Sequence, residues 1–503
     1  MSHRTPWIVA GTLMLALIST TVFATDHPVS DATQECLGCH SIVTPGIVAD
    51  WQKSRHAFVT PAEGLAKPEQ QRRISANSVA ESLSATVIGC AECHTMNNDK
   101  HATDAFEHNG FTIHTVVSPS DCATCHPTER DEFSDNLMSQ AFTNLMDNPV
   151  YAIMVNNTNG LATFTGEGFH HQPADDVSNA DSCLSCHGTE VKVTGSVTRE
   201  TDLGEMTFPV LSNWPNVGVG RVNPDGTVGA CSSCHARHQF SIEMARKPYT
   251  CAECHKGPDV PAYKVYSVSV HGNIQKSMDK YWDYKAVPWT IGKDFTAPTC
   301  AACHSSELVD ENGETLVKRS HRMNDRLPWR IFGIPYAHPH PIHADTTTIV
   351  NKGGLTLPTE LTGEFVSEFL ISNEEMAKRQ QTMEKVCSGC HSEQWVKGHF
   401  SRLDRSIETS NAMTLEATKV LSAAWKEGLA QGLPQNANPF DEAIEIKWIE
   451  QWLFYGNSVR FATAMGGVDY GVFADGRWTQ ARNLKEMGDY LKFLRATQPQ
   501  TQK

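Results

Sequence analysis

Hydrophobic positions fall into three regimes along the chain. Trp7–Thr20 is a mostly apolar run behind the basic Arg4, and Val22-Phe23-Ala24 follows it with the look of a small-residue cleavage site. That layout predicts an export signal over 1–24, because the run is too short to span a bilayer comfortably and polar sequence follows. From 25 to 360 no long apolar period is sustained, and Gly, Pro, Asn and Asp interrupt the chain, as in Thr44-Pro-Gly and Asn223-Pro-Asp-Gly. This part predicts short helices joined by long irregular loops. Val191–Val197 and Glu205–Val210 could form one small hairpin. From 361 to 503 helical periodicity takes over. Asn373-Glu-Glu opens a helix with an N-cap residue and acids in the first turn, running to the last cysteine pair. Ile407, Leu415, Val420, Leu421 and Trp425 mark one or two further helices; Ile444, Trp448, Trp452 and Tyr455 mark another, and Asn483–Leu494 a last one. Aromatic stripes at this spacing read as packing surface. The expectation is a mostly α chain: an export segment, a loop-rich domain over 25–360, and a C-terminal helical bundle over 361–503.

Cysteine usage gives the loop-rich part its meaning. All 16 cysteines fall in Cys-x-x-Cys-His units. The pairs are Cys36 and Cys39, Cys90 and Cys93, Cys122 and Cys125, Cys183 and Cys186, Cys231 and Cys234, Cys251 and Cys254, Cys300 and Cys303, Cys387 and Cys390. Chance would yield only on the order of 0.02 such units in a chain of this composition. A disulfide framework or a zinc site would not require histidine after every second cysteine. The pattern therefore predicts eight covalently bound haem c groups. Each hangs by two thioethers, with His40, His94, His126, His187, His235, His255, His304 and His391 as proximal iron ligands. Eight haems in one chain could form a continuous electron wire. They also supply apolar surface that the loop-rich part lacks.

Charge and length narrow the partners. The 503 residues are 40% hydrophobic, ample for two or more domains, and the formal charge is −15. An acidic chain disfavours nucleic acid, which needs a basic surface. Past the leader, no stretch has the roughly 18 uninterrupted apolar residues of a membrane helix. An exported, soluble, periplasmic protein is expected.

A six-coordinate haem needs a second ligand. Beyond the motifs, His3 and His27, 13 histidines remain. His56, His114, His171, His271, His321, His338, His340 and His399 are the distal candidates. Seven such pairings would leave one haem with an open face, although eight could also be found. Around the fifth motif, Asp225 precedes Cys231 by six residues and His238 follows His235 by three. Asp225 lies in a tight turn where Asp is locally favoured, and His238 could be a spare imidazole. Alternatively the two could supply protons over an open iron face, reaching a haem other than their own.

These residues resemble a known family. The run Gly220-Arg-Val-Asn-Pro-Asp-Gly, the segment Cys231-Ser-Ser-Cys-His-Ala-Arg-His-Gln-Phe, the stretch Ser320–Trp329 and Tyr336-Ala-His-Pro-His-Pro, together with eight motifs, look like the hydroxylamine oxidoreductase family of octahaem cytochromes c. The resemblance implies a mostly helical multihaem fold, a homotrimer, and a catalytic fourth haem on Cys183, Cys186 and His187. It places Asp225, His238 and Tyr336 in the distal pocket. Oxidising members carry a tyrosine cross-linked to the catalytic haem of a neighbouring subunit, and Tyr470 is the counterpart here. The residues that follow it, in Met465–Trp478, look more like the uncross-linked members. The implied activity is reduction of nitrite or hydroxylamine to ammonium, fed by a small cytochrome or a membrane quinol-linked cytochrome. The alternatives are hydroxylamine or hydrazine oxidation with a Tyr470 cross-link, and a non-catalytic electron-transfer protein.

Overall fold

A Cys-x-x-Cys-His unit needs only one helical turn, because its first cysteine and its histidine stand four residues apart on one face. The computed structural model builds it so. Cys90–His94, Cys183–His187 and Cys300–His304 are helices five residues long. Residues 27–166, 168–201 and 204–498 are described; the expected export segment lies outside them. Helix makes up about 47% of the chain, and the strands form only two-stranded antiparallel ribbons, so the mostly α expectation holds. Among the described residues no helix is long and apolar enough to cross a membrane.

Seven elements of the first part matter for the site. Helix α1 (Ala141–Met146) and helix α2 (Pro149–Asn159) precede α3 (Cys183–His187), the fourth motif. Asn148 caps α2 by accepting from the Val150 and Tyr151 amides, with Pro149 at the first helical position. The expected hairpin is present as β1 (Val193–Thr201) and β2 (Gly204–Leu211), with Val197 opposite Phe208. A shorter ribbon joins β3 (Trp329–Arg330) to β4 (His338–Pro339).

The last part is a bundle. Helix α4 (Asn373–Ser388) starts where expected, with Ser372 rather than Asn373 as its cap. One helix, α5 (Glu393–Lys426), replaces the one or two expected. At 34 residues it is about 50 Å long. Its middle looks polar in sequence, yet Ser410 and Thr414 are buried there. The Thr414 hydroxyl donates to the Ser410 carbonyl, so the helix continues without a break. Helix α6 (Ala443–Ile449) runs through a π-helical segment, Glu450–Gly456, into α7 (Asn457–Met465). The last helix, α8 (Arg477–Thr497), begins earlier than its apolar pattern.

The aromatic stripes pack as expected. Trp425, Trp448, Trp452, Leu421 and Met487 form the main apolar core, joined by Tyr151 and Ile334 from the first part. Their polar atoms are mostly met: Trp448 Nε1 donates to Thr418 at 2.8 Å and Trp425 Nε1 to Glu445 at 2.7 Å. The buried Arg460 of α7 donates to the Ile331 carbonyl at 2.8 Å, tying the ribbon β3–β4 to the bundle.

Candidate haem and redox site

Several motif histidines have one ring nitrogen already engaged. His94 Nδ1 donates to the His114 carbonyl at 2.8 Å, His187 Nδ1 to Ala141 O at 3.1 Å, and His304 Nδ1 to Met323 O at 3.4 Å. A hydrogen bond from Nδ1 fixes the tautomer and leaves the Nε2 lone pair free for a metal. Burial keeps these rings neutral, pushing His94, His235 and His304 down to about 4.

A second imidazole stands opposite five of the eight. Ring centres are 6.2 Å apart for His40 and His108, 6.3 Å for His56 and His126, and 6.5 Å for His94 and His238. They are 6.5 Å apart for His235 and His321, and 6.1 Å for His271 and His391. A metal–nitrogen bond of about 2 Å plus about 1.1 Å to the ring centre, taken twice, gives about 6.2 Å. The pairs have the spacing of two axial ligands on one iron. Among the described residues no such ring pair includes His187, His255 or His304.

Between the rings runs a branched cavity of about 1800 Å³, lined by residues of seven of the eight motifs. All 16 cysteines are free of disulfides. His340 faces the same cavity, and neither of its ring nitrogens has a partner. Thiols, free imidazole lone pairs and a large apolar void together fit covalently bound haem c. The π-helical segment adds Trp452, Leu453 and Phe454 to the wall.

Contacts between cysteines order the motifs in space. Cys36 neighbours Cys90, Cys125 neighbours Cys93, and Cys122 touches Cys231. Cys234 neighbours Cys251, Cys251 touches Cys300, and Cys303 neighbours Cys387. The fourth motif joins through the contact of Cys186 with Cys254. The first, second, third, fifth, sixth, seventh and eighth motifs therefore form a line, and the fourth branches from the sixth.

The residues expected in the pocket are not brought together. Asp225 accepts from the Ser118 and Ser120 hydroxyls at 2.6 and 2.7 Å, and from Thr227 Oγ at 2.6 Å. Burial would raise its pKa, but these hydroxyls outweigh burial and hold it below the ordinary value. It is a fully engaged acceptor at the mouth of the third motif. His238 faces His94, as above. Tyr336 is 1% exposed; its hydroxyl donates to Leu361 O at 2.8 Å, lies 3.0 Å from Thr418 Oγ, and is outside the cavity wall. Tyr470 sits half-buried in the short helix Val468–Val472.

The distal candidates divide in the same way. His56, His271 and His321 stand opposite motif histidines. His114 lies behind His94, on its Nδ1 side, and its ring stacks on His101 at 3.6 Å and 4°. His171 lies on the exposed strand Phe169–Gln172, and His399 is separated from His391 by the stacked ring of Trp395. His338 and His340 are buried; His338 Nδ1 donates to Pro339 O at 2.6 Å and its Nε2 has no partner, and neither nitrogen of His340 has one. His101, His114 and Asp121 place donor atoms within 4.8 Å of one another, as a metal site would. Parallel stacked rings, however, point their lone pairs side by side, and these cannot converge on an ion about 2.1 Å from each nitrogen. Instead His101 bridges Asp104 at 3.0 Å and Asp121 at 3.1 Å.

Two residues were not singled out from sequence. His108, opposite His40, ends a strand before the turn Asn109-Gly110, which is a hairpin signature. Asp259 lines the cavity and acts electrostatically on both His187 and His255. Its position four residues past His255 was the available signal.

Comparison with known proteins agrees with this chemistry. A family described as seven times multi-haem cytochrome CxxCH matches residues 216–330 and 364–438, and one described as cytochrome c554 and c-prime matches 121–207. A solved structure of a hypothetical multiheme protein is 42% identical, with a TM-score of 0.87 over 93% of this chain and 96% of that one. The reducing HAO-like protein complex of Kuenenia stuttgartiensis shares the fold, with a TM-score of 0.62 at 18% identity over 92% of this chain and 85% of that one. A probable nitrite reductase-hydroxylamine oxidoreductase fusion protein of the same organism is 22% identical over 81% of this chain and 39% of its own length. The chain thus spans about two-fifths of the length of this curated relative.

Proposed function

The chain belongs to the multihaem Cys-x-x-Cys-His cytochromes c related to hydroxylamine oxidoreductase, and we propose that it reduces nitrite or hydroxylamine to ammonium at the fourth motif. On this reading all eight motifs carry haem c, and the haem on Cys183, Cys186 and His187 supplies an iron with one face free for the substrate nitrogen. The supporting observation is that among the described residues no imidazole stands at axial spacing from His187, His255 or His304, and of these three only His187 belongs to the motif that branches from the line, through Cys186 against Cys254.

Taking nitrite to ammonium and two waters consumes six electrons and eight protons. A proton-bearing side chain near the reacting nitrogen is therefore needed. Asp225 is not free for it, since its oxygens are occupied by hydroxyls, and Asp259, which lines the cavity, is the candidate that we propose. His187, with Nδ1 held by Ala141 O, keeps Nε2 directed at the metal. The line of other motifs stores and delivers electrons. We place the protein in the periplasm after leader removal, as a homotrimer. Its electrons would come from a small cytochrome or a membrane quinol-linked cytochrome. The relative named for both nitrite reduction and hydroxylamine oxidation supports the substrate class.

Steady-state assay in both directions tests this. Reduced dye should be consumed with nitrite and with hydroxylamine, and the isolated protein should show a high-spin haem signal. Faster reduction of oxidised dye by hydroxylamine, with a Tyr470–haem peptide found by mass spectrometry, would reverse the direction. Absence of any high-spin signal would leave an electron carrier.

A further inference from the structure

A histidine ring turns easily about its Cβ–Cγ bond, because that torsion has broad wells. An axial imidazole therefore needs something to fix its plane, ordinarily a hydrogen bond from the nitrogen turned away from the metal. Four motif histidines have such a partner: His94, His187 and His304 donate to backbone carbonyls, and His40 Nδ1 meets Thr44 Oγ at 2.8 Å. Among the described residues no hydrogen bond reaches the His391 ring. What lies against it is the indole of Trp395, with ring centres 3.9 Å apart and planes at 15°. Of the eight motif histidines, only His391 has a parallel ring stacked on it among the described residues.

The indole is itself held in place. Ser392 caps α5 by accepting from the Trp395 amide at 3.4 Å, which fixes Trp395 in the first turn of the helix. One turn further, His399 lies parallel to the same indole at 5.3 Å and 5°. His399 meets Phe400 edge-on at 5.5 Å, and Phe400 is buried in the apolar cluster of Val396, Leu403 and Ile407. The cap positions the indole from the backbone side, and the buried cluster backs it from the ring side. Trp395 also lines the cavity, as do His391 and His399.

On the far side of the metal position His271 faces His391 at 6.1 Å, with the two ring planes 53° apart. That angle decides which iron orbitals each imidazole overlaps, and groups behind an axial ligand are one of the protein's levers on a haem. We propose that Trp395 is a positioning residue: its indole takes the place of a hydrogen bond in fixing the His391 plane, and with it the angle between the two axial rings of the eighth haem. The proposal rests on haem attachment at Cys387 and Cys390 and not on the direction of the chemistry. The eighth haem is thus set by a ring contact, where those on His94, His187 and His304 are set by hydrogen bonds.

The test uses the haem-loaded full chain, oxidised, and electron paramagnetic resonance of its low-spin haems. His271→Ala removes the ring opposite His391 and identifies the signal of the eighth haem by its conversion to high spin. Trp395→Leu should shift and broaden that one signal, with eight haems retained and the other low-spin signals in place. Trp395→Phe keeps an aromatic face and should bring the signal back towards wild type. An unchanged signal in Trp395→Leu would overturn the proposal, and so would a shift that phenylalanine does not reverse. If leucine lowers the haem content, Ser392→Ala decides: loosening the first turn of α5 should broaden the same signal, and no change there would overturn the role given to the indole. A Cys387–Cys390 peptide lacking the mass of haem would refute the attachment itself, a failure distinct from an unchanged signal on a haem that is present.

Discussion

Replacing His101 with leucine probes the wall behind His94. The His101 ring is 0% exposed and held between Asp104 at 3.0 Å and Asp121 at 3.1 Å. Burial alone would lower its pKa; the two carboxylates outweigh burial and raise it from 6.5 to about 10. At about 1.4 kcal/mol per unit, that rise corresponds to roughly 5 kcal/mol favouring the cation in the folded chain, as an upper bound. Because the folded value is raised, the contribution is complete below pH 6.5 and is lost as pH climbs through about 10. Leucine removes the cation and leaves two buried carboxylates facing each other, a loss of about 3–5 kcal/mol. Thermal melting of the haem-loaded protein between pH 6 and 10 is the assay. Wild type should lose stability steadily over that range. His101→Leu should melt lower at pH 6 and show a much flatter dependence, with His101→Gln between the two. The imidazolium bridge would be disproved by a leucine variant that matched wild type at pH 6 and declined in parallel with it.

His238→Ala should convert one low-spin haem signal to high spin in electron paramagnetic resonance, while His114→Ala should not; the opposite result would make His114 the axial partner of His94. Asp225→Ala should lower stability by about 1–3 kcal/mol through loss of its hydroxyl contacts, seen as a lower denaturation midpoint. It should leave nitrite turnover within about twofold, and a collapse in turnover would return this acid to the chemistry. Asn148→Ala removes the cap of α2 and should cost about 1 kcal/mol in the same denaturation assay. An unchanged midpoint would show that packing, not the cap, holds Tyr151.

Much of the chemistry was legible in sequence because it is local. Two cysteines and a histidine within one helical turn announce their ligand wherever the chain places them. The hairpin at β1–β2 and the start of α4 were legible for the same reason. Pairings across space were not. His114 and His238 both lie near His94, with ring centres 6.2 and 6.5 Å away, and only the Nδ1 hydrogen bond shows which lies behind the ring. Asp225 carries the residue type of a proton donor, but three hydroxyl donors that reach it make it a clamp. Two of those hydroxyls come from Ser118 and Ser120, more than 100 residues earlier, so no spacing rule could reveal them. The middle of α5 reads as a break because its serine and threonine are counted as polar, although backbone carbonyls satisfy them inside the bundle.

On the proposed reading, the order of motifs in space gives a reason for chemistry at the fourth. A motif within the line has neighbours on two sides, and any substrate there would interrupt a path that other motifs need. The fourth touches the line at one place, Cys186 against Cys254, and can stop for a multi-electron reaction while electrons equilibrate past the sixth. Entry from either end, near Cys36 or near Cys387, reaches the sixth motif before the fourth. The same branch point carries Asp259, which belongs to the loop just after the sixth motif and acts on the histidines of both. If the fourth motif is the reaction site, electron delivery and proton delivery to it would both run through one short segment, Cys251–Asp259. Changes along it should impair substrate reduction more than they impair electron storage in the line.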